Sequence, residues 1–368
     1  MITQPDGNRS PGSRRIVVCA VLALAAMPQD GPSQALRPGG TADPTVVRGI
    51  YNWIHTTGDA ERGFAFYRDV LGIELERSPF AGSAPPNAPP ERIRSVDEAR
   101  SDPLVWDLTN THGARFRTVF MGVANTPFGL ELSEFFDIPR NARPARAWDP
   151  GASMLIFEVR DLDAIVRRLN ALGAPSVTLG GAPLDTAAGR SLLVRDPDGY
   201  LVRVTQASRA SIARVGPDGD VVATSIGISV ADTAAALAFY RDLLGFSVRE
   251  THRAMNAELR LHGLAEGELT QTTTVIPGTD VTVLLLEFRL PATAVTPPTP
   301  YAWRIQDVGA PQLQLQVGDL DALLERTQVA GYRFLSVDAK PIQRPFGRFV
   351  FAIDADGVLV EFVEPEAP

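Results

Sequence analysis

The sequence predicts an α+β fold: four βαβββ units that form two tandem domains, with curved mixed sheets and external helices. A duplication carries this prediction. A helical segment occurs twice, as DAERGFAFYRDVLG at 59–72 and as DTAAALAFYRDLLG at 232–245. Each copy precedes a strand–turn–strand segment, LLVRDPDGYLVRV at 192–204 and VFAIDADGVLVEF at 350–362. The same two landmarks in the same order indicate an internally repeated chain.

The first half contains two of the four predicted units. Asp59 begins the unit 1 helix, whose apolar residues follow helical spacing and which ends at Gly72. The unit 2 helix carries leucine and isoleucine on one side and ends at Gly173. Strands are predicted at 46–54, about 114–122 and 128–136 in unit 1, and at 153–159 and up to 206 in unit 2.

The second half repeats this order. Its helices run from Asp232 to Leu244 and over 319–329, and each is followed by a glycine. The strands predicted for units 3 and 4 lie at about 221–230, 256–262, 269–276, 281–289, 312–318, 346–353 and 358–363. Gly199 and Gly357 are expected to adopt positive φ in the DPDG and DADG turns that join the last strands.

Composition limits the class of protein and its partners. The chain has 368 residues, of which 45% are hydrophobic and 21% charged, as expected for a folded protein of two ordinary domains. Its formal net charge is −8 and it has no long basic run. Because phosphate binding needs clustered cations, we expect no nucleic-acid partner. The oligomeric state is left open.

The N-terminus has the pattern of an export signal. Arg14 and Arg15 precede an apolar run from Ile16 to Ala26, which is too short to span a bilayer, and small residues follow it. We predict a signal peptide and the start of a linker over 1–35, a linker over 36–45, and domains over 46–210 and 220–366. The protein would be periplasmic or extracellular, with no membrane span in its mature form. Cys19, the only cysteine, lies in the apolar run, so that form would have no thiol.

The FYRD–LG and DPDG landmarks resemble those of the vicinal oxygen chelate superfamily, which includes glyoxalase I, bleomycin-resistance proteins and extradiol dioxygenases. The resemblance covers about residues 46–366. It implies that two units face each other, that their sheets enclose a cavity, and that the functional site lies in this cavity. It also implies that metal ligands come from the first and last strands of the two facing units.

The resemblance places these ligand positions on eight residues, two in each unit. They are Asn52 and Glu131, Met154 and Arg203, Ser225 and Glu287, and Gln312 and Glu361. None is histidine, although iron and zinc sites favour imidazole. The four histidines lie elsewhere and are interpreted as solvent-facing or packing residues: His55, His112, His252 and His262.

Two pairings of the units remain open. If units 1 and 2 share one cavity, Asn52 and Glu131 lie with Met154 and Arg203. If unit 1 faces unit 4 and unit 2 faces unit 3, the first cavity instead contains Asn52, Glu131, Gln312 and Glu361. This crossed pairing is favoured, because it gathers two carboxylates and two amides, the oxygen donors that suit a hard divalent ion. The other cavity would then be metal-free, with Arg203 near a carboxylate for which Glu287 is the candidate.

Three functions are compatible with these residues. One is an exported protein that binds a small molecule in a sheet-lined cavity, with a degenerate metal site. Another is a divalent-metal-dependent isomerase, lyase or dioxygenase, in which Glu361 or Glu131 transfers the proton. A third is a structural protein whose cavities are filled. The missing histidines favour the first and third. The expected partner is a small-molecule ligand or substrate, and the cofactor is either one divalent metal ion or none.

Overall fold

A computed structural model describes residues 47–80, 91–142, 144–291 and 301–366. Its elements follow the predicted order of four units. Unit 1 comprises β1 (Val47–Thr56), α1 (Ala60–Leu71), β2 (Glu74–Leu75), α2 (Pro103–Thr109), β3 (Arg115–Gly122) and β4 (Gly129–Phe136). Unit 2 comprises β5 (Ser153–Val159), α3 (Leu162–Ala171), β6 (Leu184–Thr186), β7 (Gly189–Arg195), β8 (Leu201–Gln206) and the following helix α4 (Arg209–Arg214).

The second half adds units 3 and 4. Unit 3 comprises β9 (Val221–Val230), α5 (Thr233–Leu237) with a π-helical continuation (Ala238–Leu243), β10 (Ser247–Arg253), α6 (Asn256–Leu261), β11 (Glu268–Val275) and β12 (Thr282–Arg289). Unit 4 comprises β13 (Pro311–Val317), α7 (Leu320–Val329), β14 (Arg333–Phe334), β15 (Ile342–Arg344), β16 (Gly347–Ile353) and β17 (Leu359–Pro365). Short 3₁₀ turns lie at Val96–Glu98 and Val337–Ala339.

One predicted strand is wrong. Residues 256–262 were expected to be extended, but Asn256–Leu261 forms helix α6, and the strand of this region is β10. The segment NAELRL is rich in residues with high helix propensity, which favours the helix observed here. The glycine prediction is confirmed, since Gly199 and Gly357 have φ of 82° and 95°.

The strands form two mixed sheets, each built from one unit of either half. The nine-stranded sheet has the order β14-β16-β17-β13-β1-β4-β3-β2, with β15 paired to β16, and therefore joins units 1 and 4. The eight-stranded sheet has the order β10-β11-β12-β9-β5-β8-β7-β6 and joins units 2 and 3. The structure thus adopts the crossed pairing of units.

The register at the centre of each sheet determines which side chains face each other. Strands β1 and β13 are antiparallel, with Asn52 opposite Gln314 and Ile54 opposite Gln312. Because side chains alternate along a strand, these four residues share one face of the sheet. Trp53 is fully buried on the opposite face, where the helices pack. One apolar cluster on this helix-bearing side contains residues from all four units.

Each principal helix begins at an aspartate that accepts a hydrogen bond from a backbone N–H in the first turn. These N-caps are Asp59, Asp161, Asp232 and Asp319. The cap satisfies one backbone donor that the helix itself cannot satisfy. The helices therefore start at the same place in all four units, directly after the first strand.

All the described residues belong to one compact unit. The domain bounds 46–210 and 220–366 stay a prediction, and the signal peptide and linker lie outside the described residues. Among the described helices, none combines the length and apolar character needed to cross a membrane.

Candidate functional site

The nine-stranded sheet encloses a cavity of about 470 Å³ between units 1 and 4. Seven phenylalanines line it: Phe80, Phe116, Phe120, Phe135, Phe346, Phe349 and Phe351. Its buried polar lining consists of Thr109, Glu131, Ser133, Gln312, Gln314 and Glu361. Binding pockets for small molecules typically combine such an apolar wall with a few polar groups.

The last strand of each unit shows which residues are structurally equivalent. In all four units, a side chain near the end of this strand accepts a hydrogen bond from the first backbone N–H of the unit's helix. The acceptors are Glu134, Gln206, Glu287 and Glu364, on the N–H groups of Ala60, Leu162, Thr233 and Leu320. The residues three positions earlier, which face the sheet interior, are Glu131, Arg203, Leu284 and Glu361.

The predicted assignment of Glu287 to a ligand position is therefore wrong. Glu287 is equivalent to the helix-capping Glu134, and its carboxylate accepts hydrogen bonds from the backbone and hydroxyl of Thr233. The equivalent of Glu131 in unit 3 is Leu284, which has no ligand atom. The sequence LLLEF offers only one carboxylate, and matching it to LELS shifted the alignment by three residues.

Glu131 and Glu361 are brought together by a chain of amide hydrogen bonds. Asn52 Nδ2 donates to Gln314 Oε1 at 2.9 Å and contacts Glu131 Oε2 at 3.4 Å. Gln314 Nε2 donates to Glu361 Oε2 at 2.7 Å, and the Ser133 hydroxyl donates to Glu131 Oε1 at 3.3 Å. These residues are all buried, so the chain links the two carboxylates away from bulk solvent.

Burial favours the neutral form of both carboxyl groups. It raises the pKa of Glu131 to about 8, and the nearby charge of Glu361 adds to this shift. It raises the pKa of Glu361 to about 7, against the effect of the hydrogen bond from Gln314. No cationic side chain in the described part of the chain contributes to either shift. The pair therefore retains a proton near neutral pH.

Gln314, and not the predicted Gln312, contacts the carboxylate of Glu361. Gln312 lines the cavity, but its amide donates to the Thr56 hydroxyl at 3.3 Å and not toward the carboxylates. Gln314 makes the contact with Glu361. The alternation of glutamines in β13 already placed both on one face, so this signal was present in the sequence. The choice between them depends on the register against β1.

The donor set of this site fits a hard divalent cation. Two carboxylates without a cationic partner supply the charge that such an ion neutralises, and the side-chain oxygens of Asn52, Gln312 and Gln314 are neutral ligands of the same kind. The amide groups of Asn52 and Gln314 now present N–H to the carboxylates, and a cation would require their oxygens to turn inward. The absence of histidine from the set disfavours zinc.

The interior of the eight-stranded sheet is filled. A cluster of buried apolar side chains occupies it, among them Met154 from β5 and Leu259 and Leu261 from α6. Arg203 is buried and forms an ion pair with Glu258 of α6, at 3.1 Å between Nη1 and Oε2. The prediction of a nearby carboxylate is confirmed, but Glu287 is the wrong candidate. Helix α6, at the place where a strand was predicted, brings in Glu258.

His55 is a residue whose surroundings the sequence did not indicate. It is buried on the helix-bearing face, its ring stacks on Tyr200 with centroids 4.4 Å apart, and its Nε2 lies 3.2 Å from Asp196 Oδ2, although this contact lacks hydrogen-bond geometry. Together with Asp198 these groups form a buried His–Asp–Asp cluster whose potential ligand atoms all lie within 4.8 Å.

The carboxylates of this cluster already have partners. Asp196 accepts hydrogen bonds from the Tyr67 hydroxyl and from two backbone N–H groups of its own turn. Asp198 accepts from Thr57 and from the Gly58 N–H. The equivalent turn of unit 4 contains Asp354 and Asp356 but has Ile228 in the place of His55. The shared part of the cluster thus holds the turn against the helix.

Comparison with known proteins agrees with this architecture. A model of the glyoxalase/bleomycin resistance protein/dioxygenase superfamily matches residues 52–204 and 222–362. A lactoylglutathione lyase of Pseudomonas aeruginosa is 27% identical over 190 residues, which are 47% of this chain and 92% of that relative.

Solved structures show the same fold. The crystal structure of glyoxalase I from Zea mays aligns with a TM-score of 0.53 at 16% identity, over 86% of this chain and 92% of that one. A mutant of the same enzyme aligns with a TM-score of 0.54, also at 16% identity, over 86% of this chain and 93% of that one. At this level of identity, the likeness concerns the fold alone.

Proposed function

This chain belongs to the glyoxalase/bleomycin resistance protein/dioxygenase superfamily, and from that premise we propose that it binds a small molecule in the cavity of the nine-stranded sheet, against Glu131 and Glu361. The cavity has the volume and the apolar lining of a small-molecule site. The buried carboxyl groups lie in its lining, where they can contact a bound molecule.

The observation that carries this proposal is the contrast between the two sheets. Where the interior is open, both carboxylates are present, although burying them without a cation is unfavourable. Where the interior is filled, the equivalent positions hold Leu284 and Arg203, and the arginine is neutralised by Glu258. Carboxylates in a purely structural interior would have no compensation, so their retention beside the open cavity supports a functional role.

A second candidate function is divalent-metal-dependent isomerase, lyase or dioxygenase chemistry at the same site. Glu131 and Glu361 would hold the ion, with amide oxygens of Asn52, Gln312 or Gln314. A bound cation would polarise two neighbouring oxygens of a substrate. The pKa values of the two glutamates lie near neutral in the ion-free site, and a bound cation would lower them. A glutamate that is not coordinated to the ion could accept or donate a proton at a substrate carbon or oxygen near pH 7. The uncompensated pair of buried carboxylates favours this candidate.

Calorimetric titration of the purified, chelator-treated chain with Mg²⁺, Mn²⁺, Ca²⁺ and Ni²⁺ tests the second candidate. One ion should bind per chain, and Glu131→Gln or Glu361→Gln should weaken its binding at least tenfold. Glu364→Gln is the matched control, because it removes a carboxylate from the same strand and glutamine caps the equivalent helix in unit 2. If no ion binds, or if the control weakens binding equally, the cation proposal fails and small-molecule binding stands alone.

We also propose that the protein is exported, on the basis of the Arg14-Arg15 pair and the apolar run that follows it. Outside the cytosol glutathione would be scarce, which argues against a glutathione-dependent lyase. N-terminal sequencing of protein from its native host should find a first residue between about Ala26 and Thr41. Recovery of chains that begin at Met1 from the cytoplasm would contradict export.

A further inference from the structure

The cavity of the nine-stranded sheet has aromatic walls and a solvent-exposed part that carries arginines. Seven phenylalanines from units 1 and 4 line it. Its volume of about 470 Å³ lies within the range of pockets that bind small organic molecules. Aromatic walls favour aromatic guests, because ring pairs in offset or edge-to-face geometry gain energy beyond the burial of apolar area. The walls therefore suit a flat molecule of one or two rings.

Two arginines stand at the solvent-exposed part of the lining. Arg94 and Arg100 both line the cavity, and both are exposed. Neither guanidinium makes a hydrogen bond or ion pair with any described residue. Burial lowers the pKa of Arg94, and the nearby charge of Arg100 lowers it further. Glu98 and Glu91 act on Arg94 in the opposite direction, but each of them is already paired with another arginine. In a chain of net charge −8, Arg94 and Arg100 are thus two neighbouring cations without an ion-pair partner of their own among the described residues.

The third arginine of the cavity lining and the arginines nearby along the chain all have acidic partners. Arg344 pairs with Asp102, which also lines the cavity, at 2.7 Å. The others nearby along the chain are paired as well: Arg77 with Glu91, Arg92 with Glu98, Arg115 with Asp137, and Arg117 with Glu61 and Glu134. Arg94 and Arg100 are thus exceptions within their own segment.

Both exceptions sit on backbone that is held in place. The Arg94 carbonyl accepts a hydrogen bond from Arg117 Nη1, and Arg117 is itself buried against Glu134. Arg100 forms a two-way backbone bridge with Phe116 of β3, at 2.8 and 2.9 Å. The side chains remain free while their attachment points are anchored. Such an arrangement lowers the entropy that must be lost when a ligand is bound.

On the basis of the proposed binding function, we propose that the ligand is an aromatic carboxylate, with its ring system between the phenylalanines and its carboxylate on Arg94 and Arg100. Arginine pairs recognise carboxylates through short, charge-assisted hydrogen bonds. This orientation directs the opposite end of the molecule toward Glu131 and Glu361, which lie in the buried part of the lining. A ligand that placed its carboxylate there would instead meet two acidic groups.

Calorimetric titration of the full chain in the presence of a chelator tests this assignment with three probes: 2-naphthoate, 2-naphthalenemethanol and dodecanoate. The naphthoate should bind at least tenfold more tightly than the neutral alcohol, a difference of about 1.4 kcal/mol. The double variant Arg94→Gln/Arg100→Gln should abolish this preference and leave the affinity for the alcohol unchanged. The control Arg209→Gln/Arg214→Gln removes two exposed charges from α4, outside the cavity lining, and should keep the preference.

The outcomes separate the ligand class from the binding function. Equal binding of naphthoate and alcohol, or an unchanged preference in the Arg94/Arg100 variant, overturns the carboxylate assignment while cavity binding stands. Tighter binding of dodecanoate than of naphthoate overturns the aromatic assignment. If no naphthalene probe binds, the proposed binding function fails together with this inference. Thr118→Phe narrows the cavity from β3 and should weaken both naphthalene probes if they bind there.

Discussion

Glu131 and Glu361 differ from the other carboxylates of the protein in what surrounds them. Elsewhere, buried acidic groups cap helices, hold turns or face an arginine, as Glu134 faces Arg117. The two cavity carboxylates instead face amides, a hydroxyl and each other. Their protonation should therefore control both the stability of the fold and the binding of a cation.

The first prediction concerns the pH dependence of stability without metal. Because the folded state raises the pKa of both groups above 4.5, it binds more protons than the unfolded state between about pH 5 and 8. The free energy of unfolding should fall by a few kcal/mol as pH rises through this window, since one pKa unit corresponds to about 1.4 kcal/mol. Urea unfolding at a series of pH values from 5 to 9 measures this change in the free energy of unfolding.

The double variant Glu131→Gln/Glu361→Gln should reduce this slope and be more stable than the original chain at pH 9. Part of the slope should remain, because burial also raises the pKa of Asp356 to about 7. Glutamine retains the acceptor oxygen that Asn52 and Ser133 use at position 131. A variant whose stability has the same pH slope as that of the original protein would show that these two groups do not cause the slope.

The affinity for a divalent cation should increase as pH rises from 6 to 9, because the carboxyl ligands must lose their protons before they bind the ion.

A second prediction concerns the buried ion pair of the eight-stranded sheet. Arg203→Leu should destabilise the protein by ~3–5 kcal/mol, because it leaves the buried Glu258 without its cation. Arg203→Leu/Glu258→Leu should recover most of the loss. Arg289→Leu is the control, since Arg289 pairs with Glu287 but is 72% exposed, and it should cost less than ~1 kcal/mol. Chemical denaturation compares the four proteins, and equal effects of Arg203→Leu and Arg289→Leu would contradict the prediction.

At the scale of elements, the repeated landmarks of the sequence contact each other. The tyrosine of the first FYRD segment, Tyr67, donates to Asp196 of the DPDG turn at 3.1 Å. In the second copy, Tyr240 donates to Asp354 of the DADG turn at 2.8 Å. Each bond joins the helix of one unit to the turn of the next. The FYRD helix and the DPDG or DADG turn therefore contact each other in both copies. This contact connects unit 1 to unit 2 in the first half and unit 3 to unit 4 in the second.

A third prediction follows from the difference between the two copies. Tyr240→Phe leaves Asp354 Oδ2 without its hydroxyl partner in a fully buried site, and should cost ~1–3 kcal/mol. Tyr67→Phe should cost less, because the His55 ring, whose Nε2 lies 3.2 Å from Asp196 Oδ2, can turn to donate a hydrogen bond to it once the hydroxyl is gone. Thermal and urea unfolding of the two variants check the order. A larger loss in Tyr67→Phe would mean that His55 does not support Asp196.

At the scale of the whole molecule, two kinds of contact connect the units in different orders. The sheets join unit 1 to unit 4 and unit 2 to unit 3. The tyrosine–aspartate bonds join unit 1 to unit 2 and unit 3 to unit 4. Every unit therefore has one partner of each kind. Neither half of the chain contains a complete sheet.

The fourth prediction tests this arrangement and the domain bounds together. Fragments 46–210 and 220–366, expressed separately, would leave β1, β5, β9 and β13 without their central partners. Exposed strand edges promote association. Each fragment alone should be oligomeric or aggregated, and an equimolar mixture should give a 1:1 complex by size-exclusion chromatography with light scattering. Two stable monomeric fragments would instead show that each half folds by itself.

Local features of the fold could be predicted from the sequence, because they depend on near neighbours. The aspartate N-caps, the terminal glycines and the DPDG and DADG turns place helices and strands within a few residues of their observed limits. Short helices are the exceptions: α6 was predicted as a strand, and α2 and α4 were not predicted, because a segment of six or seven residues carries too little pattern. The ligand positions Asn52, Glu131, Gln312 and Glu361 lie around one cavity or beside its lining, but whether they bind a metal stays a prediction.

The sequence by itself determined the number of units, their order and the residue that three of the four last strands present to an interior, Glu131, Arg203 and Glu361, because repetition and strand alternation are properties of the chain alone. Only the tertiary structure decided which units share a sheet, that Gln314 and not Gln312 contacts Glu361, and that Arg203 pairs with Glu258 and not Glu287. The contact between Asn52 and Gln314 spans 262 residues. No local preference encodes such a contact, since it depends on how whole strands align once the apolar faces of four units have packed together.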